Sequence, residues 1–295
     1  MALVRFMIAA ILLVAQAGAP GQPAGGLKAV ASFSILADFV RNVGGERVEL
    51  VTLVGPDGDA HVYSPSPADG QRVSEAKVVF VNGLGFEGWI GRLVKASGTR
   101  ADIVEAAAGT STLPGHADGR RTDPHVWQSI ANARICVGNI RDGLIAADPV
   151  GRATYEANAT AYLAKLDDLE REVVRAVARV PADRRRVITS HDAFGYFANA
   201  YGLEFVAPQG VSTDAEASAK DVARIIQQVR KERIGAVFVE NISDPRLIRR
   251  IAAETGAKIG ERLYSDALSG PDGPAATYID MMRHNIRALT TALAS

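Results

Sequence analysis

The feature that most constrains the fold of this chain is one long amphipathic stretch near its middle, from about Pro149 to Val180. Apolar and small side chains recur in it at spacings of three and four residues, which predicts a continuous helix with a single apolar face. These side chains belong to Tyr155, Ala159, Tyr162, Leu166, Leu169, Val173, Val177 and Val180. Such a helix would be roughly 45 Å long, enough to cross a whole globular molecule.

Patterns of alternating strand and helix lie on both sides of this stretch. Strands are predicted at 28–33, 48–54, 78–82, 103–107, 187–189, 204–206, 236–239 and 258–260, with helices between them and a last helix at about 275–294. This alternation is typical of parallel sheets covered by helices. Because 295 residues exceed what one ordinary core holds, the sequence predicts an α/β protein with two Rossmann-like lobes, each a parallel sheet with flanking helices, joined by one long rigid helix.

Four segments follow from this organisation. They are a signal peptide (1–19), an N-terminal α/β lobe (20–148), the linking helix (149–180) and a C-terminal α/β lobe (181–295). In the first segment a lone basic residue, Arg5, precedes the apolar run 6–15, and Ala17-Gly18-Ala19 fits an A-x-A cleavage site. The apolar run is too short to span a bilayer. The sequence therefore predicts export and removal of this segment.

The charges favour no polyanionic partner. Lys and Arg together number 33, as do Asp and Glu, so the chain lacks the basic surplus of nucleic-acid-binding proteins, and no nucleic-acid partner is expected. The only cysteine, Cys136, lies in a predicted amphipathic helix, where we expect a small core residue and not a nucleophile. Because no cysteine lies near the predicted cleavage site, we expect no stable membrane anchor.

Three of the five histidines lie at predicted junctions between strands and helices. They are His61, His125 and His191, and they come from both halves of the chain. Ligands of open α/β sheets bind at the carboxyl ends of strands, so three imidazoles at such ends can meet between two lobes and bind a metal. No H-x-x-x-H or C-x-x-C pair fixes a local geometry, however. For each histidine taken alone, a satisfied core or loop position remains the alternative.

Five ordered motifs give the chain a family resemblance. They are His61 to Asp69, similar to H-x-Y-x-P-x-P-x-D; Asp123 to Trp127, matching D-P-H-x-W; Ser190 to Phe197, matching S-H-D-A-F-x-Y-F; Phe238 to Glu240; and Tyr264 to Leu268. With these motifs the chain resembles the metal-binding proteins of zinc and manganese ABC importers, the cluster A-I solute-binding family, over roughly residues 28–292. The fold of that family, two lobes bridged by a long helix, agrees with the fold predicted from the patterns.

The resemblance implies one metal site with four protein ligands. His61 and His125 would come from the N-terminal lobe, and His191 and Asp266 from the C-terminal lobe. Relatives of the manganese type have a glutamate at the position of His191. Three neutral imidazoles and one carboxylate suit zinc, which binds N and O donors tetrahedrally, whereas manganese prefers more oxygen. We therefore expect one zinc ion per chain.

Other candidate residues remain open. Glu240 ends a predicted strand and is either a direct ligand or an outer partner that orients an imidazole. His116 lies in a short loop where many zinc-type relatives have a long segment rich in His and Asp, and a weak accessory contact by it remains open. Asp192 is expected to cap the next helix. His284, on the last helix, is expected to be a solvated or packing residue.

The resemblance implies a periplasmic, monomeric substrate-binding protein that captures zinc between its lobes and delivers it to an ABC transporter permease. It leaves a periplasmic metallochaperone open as a further partner. Two alternatives are a manganese-binding protein of the same family and a secreted zinc hydrolase. An enzyme is not expected, because four protein ligands leave no position for the water of a catalytic zinc. The sequence also has no H-E-x-x-H or G-x-S-x-G motif.

Overall fold

The computed structural model describes residues 25–115 and 121–294, and within these ranges the strands form two four-stranded parallel sheets. The first sheet contains β1 (Leu27–Phe33), β2 (Val48–Val54), β3 (Val78–Val81) and β4 (Asp102–Glu105). The second contains β5 (Arg186–Ile188), β6 (Glu204–Val206), β7 (Ala236–Val237) and β8 (Lys258–Ile259). All of these strands overlap the segments that the alternating patterns predict. The predicted α/β class with two parallel sheets and flanking helices is confirmed.

Helices connect and cover the strands. They are α1 (Ser34–Gly44), α2 (Pro67–Glu75), α3 (Ile90–Ser97), α4 (Ile130–Ala147), α5 (Arg152–Val177), α6 (Gly195–Tyr201), α7 (Ala219–Glu232), α8 (Pro245–Thr255) and α9 (Tyr278–Ala294). Local sequence explains several of their ends. Ser66 and Asp69 form a capping box at the start of α2, and Gly256 ends α8 in the left-handed conformation. In the part of the chain that the structure covers, no helix combines the length and apolar character of a membrane span.

The two sheets share one topology, with the strand orders β2-β1-β3-β4 and β6-β5-β7-β8. In each sheet the chain runs outward from the first strand to the second, and then crosses over to the third on the other side of the first. A crevice opens at the carboxyl ends of the first and third strands, where the direction reverses, and α/β proteins bind ligands in such crevices. Each half of the molecule therefore presents a binding edge at the carboxyl ends of its strands.

The long helix α5 connects the two halves. It has 26 residues and is about 39 Å long, shorter than predicted, because a 3₁₀ turn (Pro149–Gly151) precedes it and it ends at Val177. Its predicted apolar stripe is buried from Tyr155 to Val177. This stripe packs against α1, α4 and α9. The last helix, α9, thus returns to the first half of the molecule after the second sheet is complete.

One hydrophobic core extends across both halves. The larger buried cluster includes the first sheet, the buried face of α5 and residues of the second half such as Phe194 and Met281. A smaller cluster fills the space between the second sheet and the helices α7 and α8. The predicted lobe boundaries at 148/149 and 180/181 remain predictions, and the predicted signal peptide (1–19) lies outside the described residues.

Candidate metal centre

The four side chains singled out in the sequence lie together. One nitrogen or oxygen atom from each of His61, His125, His191 and Asp266 lies within 4.8 Å of the others. The Nε2 atom of His61 is 3.3 Å from Nε2 of His125 and 3.2 Å from Oδ2 of Asp266. The Nε2 atom of His191 is 3.1 Å from the same carboxylate oxygen. Three imidazoles therefore converge on one carboxylate.

The topology of the sheets explains this convergence. His61 lies in the loop after β2, and His125 lies in the loop between β4 and α4, so both belong to the first half. His191 lies three residues after the end of β5, and Asp266 lies in the loop after β8. These loops leave the carboxyl ends of the strands, where the ligands of open α/β sheets bind. The cluster lies between the halves of the molecule.

Carboxylates lie behind two of the imidazoles. Oδ1 of Asp123 is 2.7 Å from Nδ1 of His125 and also accepts a hydrogen bond from the His125 backbone N–H at 2.9 Å. Oε2 of Glu240 is 2.6 Å from Nδ1 of His191; this is ion-pair distance, although the alignment falls short of hydrogen-bond geometry. Such carboxylates keep the proton on Nδ1 and turn the lone pair of Nε2 toward the centre.

Glu240 is therefore an outer partner of His191 in this arrangement. Its Oε1 accepts hydrogen bonds from the backbone N–H groups of Ser190 and His191, at 2.7 and 2.9 Å. The carboxylate is fully buried and does not belong to the group of four converging side chains. Of the two roles left open for it by the sequence, the structure supports the outer one.

Side chains from the first half of the molecule also donate hydrogen bonds to the loop that contains Asp266. The side chains of Trp127 and Gln128 both donate hydrogen bonds to the backbone carbonyl of Ser265, each at 2.8 Å. These buried donors fix the residue next to Asp266 from across the interface. The ring of Phe86 packs on that of His61 at 4.6 Å between centroids and places an apolar side chain beside the cluster.

Burial and charge act against each other in the cluster. Burial disfavours the charged form of His125, but the charges of Asp266 and Asp123 outweigh it and raise the pKa of His125 to about 9. Burial also lowers the pKa of His191, but the charges of Glu240 and Asp266 outweigh burial. The pKa of His191 therefore lies well above its usual value. Burial lowers the pKa of His61.

The carboxylate of Asp266 balances these imidazoles. Burial alone would raise the pKa of Asp266, but His125 and His191 hold it well below its usual value. Its Oδ1 atom is buried and has no hydrogen-bond partner among the described residues. A buried anionic oxygen without a partner is costly unless a cation or proton donor meets it. The centre is therefore suited to bind a cation among the three imidazoles.

The three remaining candidate residues of the sequence analysis have different outcomes. His116 lies outside the described residues, so the accessory contact stays a prediction. The expectation that Asp192 caps the next helix is wrong, because the N-cap position of α6 is occupied by Phe194. His284 is buried and donates from Nε2 to the carbonyl of Arg262 at 2.8 Å, which makes it a packing residue of α9.

Sequence reasoning missed two supporting residues. Asp123 is named there only as the first residue of the D-P-H-x-W motif, although its position two residues before His125 is typical of a side chain that accepts the backbone N–H of that residue. Asp59 has the same relation to His61, at 2.9 Å. The spacing Asp-x-His could have identified both. The contact of Gln128 with Ser265 has no comparable local signal, because 137 residues separate them.

Comparisons with known proteins agree with this architecture. The family model for the periplasmic component A of the zinc-uptake complex (ZnuA) matches residues 29–292. The manganese-binding lipoprotein MntA of Halalkalibacterium halodurans is 36% identical over 98% of this chain and 97% of its own length. The manganese ABC transporter substrate-binding lipoprotein PsaA of Streptococcus pneumoniae is 30% identical over 90% of this chain and 89% of its own length.

Solved structures also match nearly the whole molecule. The periplasmic zinc binding protein TroA from Treponema pallidum superposes with a TM-score of 0.87 at 29% identity, covering 92% of this chain and 100% of its own. A manganese-bound variant of a periplasmic metal binding protein from Candidatus Liberibacter asiaticus gives a TM-score of 0.84 at 30% identity, covering 90% and 98%. By its match to the family model over most of its length and by its identity to these relatives, the chain belongs to the ZnuA family of metal-binding proteins of ABC importers.

Proposed function

We propose that this protein is the substrate-binding component of an ABC importer, and that it captures one zinc ion with His61, His125, His191 and Asp266. It acts outside the cytoplasmic membrane and transfers the ion to a membrane permease. The metal is the transported substrate and takes part in no reaction on this protein. A monomeric state, a metallochaperone partner and the absence of a stable membrane anchor stay predictions, since relatives such as MntA and PsaA are named lipoproteins.

The spacing of the four side chains is the observation that carries this proposal. Four ligands at about 2.0 Å from a zinc ion in a tetrahedron lie about 3.3 Å from one another. The separations of His61 Nε2 from His125 Nε2 and from Asp266 Oδ2 are 3.3 and 3.2 Å, and that of His191 Nε2 from Asp266 Oδ2 is 3.1 Å. These three separations match the edges of such a tetrahedron, and all four ligand atoms lie within 4.8 Å of one another.

The donor set supports zinc among the divalent metals. Imidazole nitrogen suits zinc, and one carboxylate oxygen completes a site with closed coordination. Asp123 and Glu240 lie behind His125 and His191, as carboxylates commonly do behind zinc-bound imidazoles. Four protein ligands leave no position for a catalytic water, so the same geometry disfavours a zinc hydrolase.

Manganese is the second candidate, and one observation favours it. The Oδ1 atom of Asp266 has no hydrogen-bond partner and lies 3.6 Å from Nε2 of His125. If both oxygens of Asp266 bound the ion, the coordination number would be five, which suits manganese better than zinc. The names of MntA and PsaA, which are similar to this chain over most of its length, point to the same metal.

Metal analysis decides between these candidates. Protein purified from the periplasm without added metal should contain about one zinc per chain, and zinc should displace manganese in competition. His125→Ala should abolish tight binding, while the matched variant His284→Ala should keep wild-type affinity, since His284 contacts Arg262 and Arg287 and is not one of the four converging side chains. Manganese as the bound metal would select the second candidate. Unchanged affinity of His125→Ala would refute the site.

A further inference from the structure

One irregular segment of the second half borders the candidate metal centre. Residues 208–217, between β6 and α7, form no helix or strand, and we call them the mouth segment. Cavities of about 780, 530 and 570 Å³ adjoin this segment. The second of these cavities is also lined by His61 and Phe86. The mouth segment therefore borders open space on more than one side, and one of its cavities leads to a proposed ligand.

His61 is the ligand best placed for exchange with this cavity. The side chains of His125, His191 and Asp266 are 0% exposed, whereas that of His61 retains 3% of its surface. Asp123 and Glu240 hold the other two imidazoles from behind, deep in the molecule. An ion that leaves the site must part from its ligands one after another, and the ligand beside the cavity is the one that can move first.

A single carboxylate connects His61 to the mouth segment. Oδ1 of Asp59 accepts a hydrogen bond from the backbone N–H of His61 at 2.9 Å. Oδ2 of the same side chain accepts one from the hydroxyl of Thr213 at 2.6 Å. Thr213 lies in the mouth segment, 154 residues further along the chain. Asp59 therefore contacts the backbone of a proposed ligand with one oxygen and the opposite half of the molecule with the other.

On the basis of the metal-binding function proposed above, we propose that Asp59 is a positioning residue and that its hydrogen bond with Thr213 sets the rate at which the ion leaves. While this bond is made, the mouth segment holds the turn that presents His61. When it breaks, the turn loses its contact with the mouth segment, and His61 can swing away from the ion. The loop then stays bonded to the opposite half two residues earlier, where Asp57 donates its backbone N–H to the carbonyl of Leu268 and accepts a hydrogen bond from the Asn241 amide. Entry and exit are thereby coupled to the position of one surface segment.

The experiment measures zinc release from the full-length mature protein, loaded with one zinc ion and mixed rapidly with an excess of a chromophoric chelator. Thr213→Val removes the hydroxyl and keeps the shape, and release should become about tenfold faster, in line with the loss of one hydrogen bond to a carboxylate. Thr213→Ser, which restores the hydroxyl, should return the rate to near the wild-type value. Thr290→Val is the matched control, because it removes a hydroxyl that bonds only within α9.

A double-mutant cycle isolates the coupling from general loosening. In an Asp59→Ala background, Thr213→Val should not accelerate release further, because its partner is already absent. A wild-type release rate in Thr213→Val, or an equal acceleration in both backgrounds, would overturn the role of Asp59 while leaving the metal site intact. Failure of the wild-type protein to hold zinc, or full affinity in His125→Ala, would instead overturn the proposed function and this inference together.

Discussion

Replacing Glu240 by glutamine tests whether the buried outer carboxylate controls an imidazole. In the wild type, Oε1 of Glu240 accepts two backbone N–H groups and Oε2 lies 2.6 Å from Nδ1 of His191. Glutamine can keep the two backbone bonds through its carbonyl, but its amide then turns N–H groups toward Nδ1. Because Nδ1 must then accept a hydrogen bond, His191 would adopt the other tautomer, which carries its proton on Nε2 and cannot bind a metal through that atom.

The expected size of the effect follows from this geometry. Loss of an outer partner commonly weakens metal binding 10–100-fold, about 1.4–2.7 kcal/mol. The upper end is expected for Glu240→Gln, because both side chains are 0% exposed and water cannot replace the carboxylate. Glu172→Gln is the matched control. Glu172 lies on α5 and forms an ion pair with Arg283, but its side chain is 39% exposed, so water can replace the lost carboxylate.

Competition with a chelator of known affinity measures the zinc Kd of each variant, and thermal unfolding shows whether the variant is folded. Glu172→Gln should bind zinc as the wild type does. A folded Glu240→Gln protein whose affinity lies within about threefold of the wild type would refute the orienting role of this carboxylate. The tautomer of His191 would then be set by other contacts.

Three further outcomes are expected. At a thousandfold excess over Kd, zinc should stabilise the folded protein by about 4 kcal/mol, raising Tm by roughly 8–16 °C in calorimetry; an apo protein that is unfolded at room temperature would contradict this. Because the pKa of His125 is raised to about 9 in the metal-free centre, zinc must displace its proton below that pH, so the apparent affinity should increase from about pH 6 to pH 9. A profile by isothermal titration that is flat in this range would exclude the imidazoles as ligands. Leu166→Ala, on the buried face of α5, should lower the free energy of unfolding by about 2–5 kcal/mol in urea titrations, whereas Lys165→Ala on its solvent side should change it by less than about 0.5 kcal/mol.

The sequence predicts the regular elements well because their signals are local. The apolar stripe of α5 identifies the helix, and its start is misplaced by a few residues because Pro149 opens a 3₁₀ turn first. Strand β7 is predicted longer than the paired residues Ala236–Val237, since apolar residues continue the pattern beyond the ladder. Periodicity shows which residues are buried, but hydrogen-bond pairing decides where an element ends.

The residues of the candidate metal centre are harder to predict from local sequence patterns. The family motifs predict the four ligands, whereas spacing alone leaves each histidine open to another interpretation. Local hydrogen bonds such as that of Asp123 with His125 follow from a spacing of two residues. Contacts such as that of Asp59 with Thr213 join residues from different halves of the chain, and only the packing of two sheets against α5 brings them together.

The return of α9 to the first half of the molecule has a consequence for folding. Oδ2 of Asp38, in α1, accepts a hydrogen bond from the backbone N–H of Tyr278, 240 residues later in the chain. During synthesis the apolar face of α5 emerges long before the helix that covers part of it, so the nascent first half must expose that surface until translation is nearly finished. Closing so large a loop is slow. We therefore expect the unfinished chain to be a substrate for holding chaperones, and the complete chain to fold in one late, cooperative step.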